Sequence, residues 1–127
     1  MSWRWLRPET AEAIHLEQLA EHGGGAGVRA LGALLSALAR PENLAVYGEP
    51  DAAALAAAYA FGVAKNHPFI DGNKRTAWVL ARLFLSKNGV SMDYKEAEAV
   101  VVMLRLAAGE LSEDELANWF RERNELA

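Results

Sequence analysis

The 127-residue sequence contains no cysteine. That excludes disulfides, zinc ribbons, iron–sulfur clusters and thiol nucleophiles at once, and it suits the reducing cytoplasm. An excess of positive charge is also missing. Thirteen Lys and Arg face 17 Asp and Glu, for a formal net charge of −4. No electrostatic footprint for nucleic acid results, and no direct nucleic-acid partner is expected. No apolar run reaches the roughly 20 residues that a membrane span needs. The longest, Ala52 to Ala64, is interrupted by Gly62 and bounded by Asp51 and Lys65. The first residues, Met1 to Arg7, lack the apolar stretch of a signal peptide, so a cytoplasmic protein without a membrane partner is expected. Long period-two alternation, internal repeats and low-complexity linkers are absent as well. What is present is an ordinary globular composition, 52% hydrophobic and 24% charged, which fits one domain over residues 1–127.

The pattern predicts an all-α bundle of about six helices. Pro8 suits a first helical position, with Glu9 and Glu12 where the macrodipole favours acids. Ala11, Ile14, His15, Gln18 and Leu19 share a face of that helix until Gly23-Gly24-Gly25 stops it. Leu31, Leu34, Leu35 and Leu38 form the stripe of a second helix, expected to end before Pro41. A loop is expected from Pro41 to Pro50. The third helix, about Asp51 to Asn66, is apolar nearly all round and should be central. A fourth runs from about Lys74 to Asn88. Val90 to Met92 reads as a short extended piece. Asp93 with Glu96, and Ser112 with Glu115, read as capping boxes opening a fifth and a sixth helix.

Chemistry concentrates in His67 to Arg75, His-Pro-Phe-Ile-Asp-Gly-Asn-Lys-Arg, between the third and fourth helices. Pro68 turns the chain out of helical geometry. The fourth helix then opens with unpaired N–H groups and a partial positive charge, a ready anion site. Gly72 leaves the backbone open to close approach. Lys74 and Arg75 lie at the end where cations oppose the macrodipole, at a cost of a few tenths to about 1 kcal/mol each. Such a local violation marks a site awaiting an anion, most simply phosphate. Asp71 beside it would repel phosphate unless a cation bridged them, and Mg²⁺ suits that task. His67 accepts a proton near neutral pH. A base, a metal-binding acid and a phosphate cradle together make a phosphoryl- or nucleotidyl-transfer site.

These nine residues resemble the signature of the Fic/Doc superfamily, H-x-F-x-(D/E)-(G/A)-N-(G/K)-R, at every fixed position. The resemblance implies a compact helical bundle with His67 as general base and Phe69 as the anchor of the loop. It implies Asp71 as the Mg²⁺ ligand, with Gly72, Asn73, Lys74 and Arg75 on the phosphates of ATP. Fic adenylyltransferases resemble H-P-F-x-x-G-N-G-R-x-x-R. Here Lys74 replaces the second glycine of that G-N-G, and Trp78 stands where the last arginine would be. The lysine form is that of the Doc branch, which implies a kinase acting on a threonine of elongation factor Tu and blocking translation. Many Fic proteins carry an inhibitory [S/T]-x-x-x-E-[G/N] helix. No Ser or Thr in this sequence has Glu four residues ahead. The resemblance therefore implies an external brake, a partner antitoxin whose disordered tail folds on the toxin. An adenylyltransferase of the Fic type and a non-catalytic antitoxin-binding module are the alternatives.

Other candidates read as structural. His15 is expected to be a partly buried helix residue, His22 a solvated helix end, and Arg29 a surface residue at a helix start, with a lean toward the site as the alternative for Arg29. Trp3, Trp5, Trp78 and Trp119 are expected in the core or at its edge, although Trp3 and Trp5 would also suit a partner groove. The Gly23 to Gly27 cluster does not precede Lys-Ser/Thr, so it is no Walker loop.

Overall fold

An Ala-rich helix at the centre sets the architecture. In a computed structural model, which describes residues 2–126, six helices appear in the order α1 (Pro8–His22), α2 (Leu31–Tyr47), α3 (Ala52–Asn66), α4 (Asn73–Lys87), α5 (Glu96–Ala107) and α6 (Glu113–Arg123). Two three-residue strands, β1 (Val90–Met92) and β2 (Asn124–Leu126), pair antiparallel. Ten of the fifteen residues of α3 are buried, and α3 packs against α2, α4, α5 and α6. Its small side chains let neighbouring helices come close. At Gly62 a Cβ would lie 3.2 Å from Ala37 of α2, tight enough that the two helices would have to ease apart slightly to admit one. The expected all-α bundle is therefore what forms, with α3 as its core.

Two helix boundaries differ from the sequence reading. First, α2 does not end before Pro41, and no loop runs from Pro41 to Pro50; the helix continues to Tyr47. Proline there removes the bond to the Ala37 carbonyl, a loss of about 3 kcal/mol with its steric cost. Pro41 is buried, and the Ala37 carbonyl faces Gly62 across the α2–α3 contact. Packing of the apolar face outweighs the local break. Second, Asp93 does not cap α5. Its N–H donates to the Arg123 carbonyl (2.9 Å), extending the β1–β2 ladder, and the N-cap falls on Lys95. The Ser112–Glu115 capping box forms as expected.

Aromatic side chains close both ends of the core. Trp78, Tyr94, Trp119 and Phe120 cluster with ring centroids 5.5–5.9 Å apart. Trp3 and Trp5 lie over Phe84, at 6.0 and 5.8 Å. The Tyr59 hydroxyl accepts the Leu6 N–H (3.0 Å), and burial pushes its pKa up to about 12, so it stays neutral.

Asp51 joins local capping to tertiary pairing. Its carboxylate accepts the Ala54 N–H at the start of α3 and a bidentate pair from Arg121 at 2.6 and 2.9 Å. The Arg121 guanidinium holds the Asp51 pKa below its ordinary 3.8. A carboxyl lowered on folding stabilises above its unfolded pKa, and that contribution disappears as pH falls through the lower, folded value. Acid titration of urea stability should therefore show a shallower loss below about pH 4 in Arg121→Ala than in the parent. Superimposable acid limbs would contradict this account.

Candidate active site

The motif loop begins where α3 ends. His67 is the C-cap, in the left-handed region at φ 46° and ψ 56°, and its N–H donates to the Val63 carbonyl. Among the described residues no other non-glycine residue has positive φ. Such strain costs on the order of 1–3 kcal/mol and persists only where surroundings enforce it. Arg29 supplies part of that enforcement. Its Nε donates to the His67 carbonyl (2.8 Å) and a terminal nitrogen to the Asn66 carbonyl (3.1 Å). A cation thus covers the negative end of α3. Arg29 is more than the surface residue the sequence implies, because chain distant in sequence folds over the helix end. The His67 side chain remains exposed.

Residues 27–30 run alongside the loop. Val28 and Phe69 form an antiparallel bridge, the Arg29 and Ala30 N–H groups donate to the Pro68 carbonyl, and the Ile70 N–H donates to the Gly27 carbonyl. The glycine cluster now has a reason. A Cβ on Gly24, at φ +122°, would lie 2.8 Å from Asp71 Oδ2, and one on Gly25 would lie 3.1 Å from Ile70. The segment is a bed without side chains on which the loop rests.

Phe69 is buried at 1% exposure, and its ring stacks on His15 at 3.9 Å. Asn73 clips the turn shut: its Oδ1 accepts the Phe69 N–H and its Nδ2 donates to the Phe69 carbonyl, both at 3.0 Å. The carboxamide is thus committed to the loop, leaving the Asn73 backbone amide as the group it presents at the helix start. Gly72 is the N-cap of α4 in the left-handed region, φ 78°, and offers no capping side chain. The first turn contains no acid, while Lys74 and Arg75 are exposed there. Asp71 is exposed, and its Oδ1 accepts the Gly72 N–H (2.9 Å).

No group of three or more metal-ligating side chains occurs among the described residues. A lone exposed carboxylate suits an ion such as Mg²⁺, which takes one or two protein carboxylates and completes its shell with phosphate oxygens and water. An uncapped, cationic helix start beside that carboxylate has the charge and free N–H groups that suit an anion. A groove of about 570 Å³ opens on the same side of α4, lined by Lys74, Arg75, Arg82, Trp78, Val100 and Leu104 among others from α1, α4 and α5. Lys74 and Arg75 face it; His67 and Asp71 do not line it.

The Fic/DOC family profile matches residues 5–85, from the segment before α1 through most of α4. The chain belongs to the Fic/DOC family. It is 32% identical over 119 residues to the protein kinase doc of Escherichia phage P1, covering 93% of this chain and 94% of that one. It is 40% identical over 100 residues to the toxin Doc of Mycolicibacterium smegmatis, covering 75% of this chain and 76% of that one. Within the Fic/DOC family it falls in the Doc toxin branch. No helix among the described residues is long and apolar enough to cross a membrane.

Two residues beside the motif, read from the sequence as structural, touch the motif loop directly. His15 is fully buried, not partly, and donates from Nε2 to the Asp71 carbonyl (2.7 Å). Arg29 reaches the other end of the loop. Periodicity marked His15 as inward-facing, but nothing local shows which loop an inward residue will meet.

Proposed function

We propose that this Fic/DOC protein is a toxin kinase that transfers the γ-phosphoryl group of Mg·ATP to a hydroxyl of a protein. The observation that carries this reading is the uncapped start of α4, where Gly72 leaves the approach free of a side chain and Asn73, Lys74 and Arg75 offer backbone amides and two cations beside an exposed imidazole and an exposed carboxylate. His67 takes the proton of the acceptor hydroxyl as its oxygen bonds to phosphorus. The bond between the γ-phosphorus and its bridging oxygen breaks, and ADP leaves. The helix start, Lys74 and Arg75 hold the charge that spreads over the phosphoryl oxygens. Asp71 would hold Mg²⁺, which supplies charge neutralisation when bound. Phe69 anchors the loop, and Asn73 presents its backbone amide while its side chain closes the turn.

The name of the phage P1 relative supports kinase chemistry over adenylylation. So does Trp78, which is packed among Tyr94, Trp119 and Phe120 and brings no cation to the site. The acceptor that the family resemblance implies is elongation factor Tu, whose phosphorylation blocks translation in the cytoplasm. The purified protein, incubated with Mg·ATP and cell extract, should add a phosphate to a peptide of that factor, read by mass. An adenylyl mass increment would select the Fic-type alternative, and no increment would select a non-catalytic module.

The groove fits the tail of a partner antitoxin. Lys74, Arg75 and Arg82 from α4 and the half-exposed Val100 and Leu104 from α5 suit an amphipathic helix with acidic residues toward α4, while Glu21 and Glu96, which also line the groove, favour basic residues beside α1 and the start of α5. Expression alone should arrest growth, and co-expression with the neighbouring open reading frame should restore it. Equal growth in both cases would count against the pairing.

Gly24 tests how the loop's bed serves the site. Gly24→Ala places a methyl against the Asp71 carboxylate at a backbone angle alanine resists. Displacing that group by about 1 Å should lower the transfer rate by about 10²-fold, measured with labelled ATP. A full-rate Gly24→Ala protein would show that the carboxylate's position is immaterial.

A further inference from the structure

We propose that His15 is the positioning residue of the motif loop, locking the Asp71–Gly72 peptide plane so that Asp71 and the start of α4 face one ligand. The inference rests on the phosphoryl-transfer reading for its consequence, but its geometry stands independently.

His15 is buried at 2% exposure, and apart from the aromatic Tyr59 and Trp78 the only other buried side chain with a polar group among the described residues is Thr76. Burying an imidazole is unfavourable unless its polar atoms find partners. This one meets the loop in three ways. Its ring lies parallel to Phe69, 3.9 Å between centroids and 8° between planes. Its Nε2 is 2.7 Å from the Asp71 carbonyl oxygen. Its Cδ2 and Nε2 lie 3.7 and 3.8 Å from where a Cβ of Gly72 would stand. A carbonyl only accepts, so Nε2 carries the proton.

The Asp71–Gly72 peptide unit is bonded at both ends. Its C=O accepts from His15, and its N–H donates to Asp71 Oδ1 at 2.9 Å. The direction of this single plane therefore sets where the Asp71 carboxylate lies and how the chain enters α4. Gly72 has φ 78° and ψ 17°, yet glycine reaches negative φ about as readily. The turn by itself does not choose one orientation of the plane. A donor beneath it chooses: turning the plane over would leave His15 unpaired in the interior and release the carboxylate. The glycine bed fixes the loop from its outer edge through Gly27 and Gly24, while His15 fixes it from the core.

Two substitutions separate the bond from the packing. His15→Phe keeps an aromatic ring on Phe69 and removes the donor. His15→Gln keeps a donor of similar reach and removes the ring. In the ligand-free protein, the Gly72 amide resonance should move and exchange faster with solvent in His15→Phe, and stay near the parent's in His15→Gln. Turnover should fall about 10²-fold in His15→Phe with little change in KM for ATP, and His15→Gln should recover at least tenfold of that. A Gly72 amide unmoved in His15→Phe would overturn the proposal. So would equal losses in the two variants, the mark of packing alone. Should His15→Phe fail to fold, His15→Gln decides by itself: a displaced Gly72 amide in a folded His15→Gln protein overturns the lock. A parent without phosphoryl transfer would refute the kinase reading, whereas the Gly72 amide would still decide the role of His15.

Discussion

His67→Ala should abolish growth inhibition and lower phosphoryl transfer by about 10²–10⁴-fold, the usual contribution of a positioned general base. The side chain is exposed at the end of α3 and contributes little to the core. Its backbone, however, sits at φ 46°, where alanine is less at ease than histidine. His67→Asn controls for that, because asparagine accepts left-handed geometry and cannot serve as a base near neutral pH. Both variants should keep the parent's circular dichroism and lose activity together. Activity retained by His67→Asn would show that the imidazole is not the base. Activity retained by both would place the growth effect outside catalysis altogether.

Phe69→Ala should instead strike the fold. The ring is 1% exposed and stacked on His15, and the backbone on either side of it is bonded to Asn73. Emptying such a site costs about 3–5 kcal/mol, a large share of a total of about 5–15 kcal/mol. The melting temperature should fall by roughly 10–20 °C, read by calorimetry. Phe69→Leu, which keeps most of the volume, should fall by much less. A Phe69→Ala protein melting within about 2 °C of the parent would mean that the loop needs no anchor.

Much of the bundle was legible because its signals are local. The spacing of Leu31, Leu34, Leu35 and Leu38, the capping box of Ser112 and Glu115, and the all-round apolarity of α3 each declare an element through neighbours three or four residues away, although only Leu34 and Leu38 of that leucine stripe are buried and Leu31 and Leu35 stay exposed. The boundaries that were misread depend on distant partners. Pro41 stays inside α2 because it is itself buried and α2 packs along α3, with Ala37 against Gly62 one turn before the break. Asp93 gives up its cap because the Arg123 carbonyl, thirty residues on, takes its N–H. The glycines at 23–27 read as a helix stop, which they are, but their closeness to Asp71 and Ile70 is a property of the folded chain.

The same division runs through the site. Nine consecutive residues determined the candidate reactive groups, their order and the cationic helix start, because a turn entering a helix is built by adjacent residues whatever surrounds it. Only the tertiary structure decided that His15 and Arg29 hold the two ends of that turn and that Lys74 and Arg75 open onto a groove shared with α1 and α5. His15 and Arg29 lie 37 to 56 residues from the groups they hold. Beyond the reach of one helical turn, which groups meet is set by how the helices pack, and no local pattern encodes that.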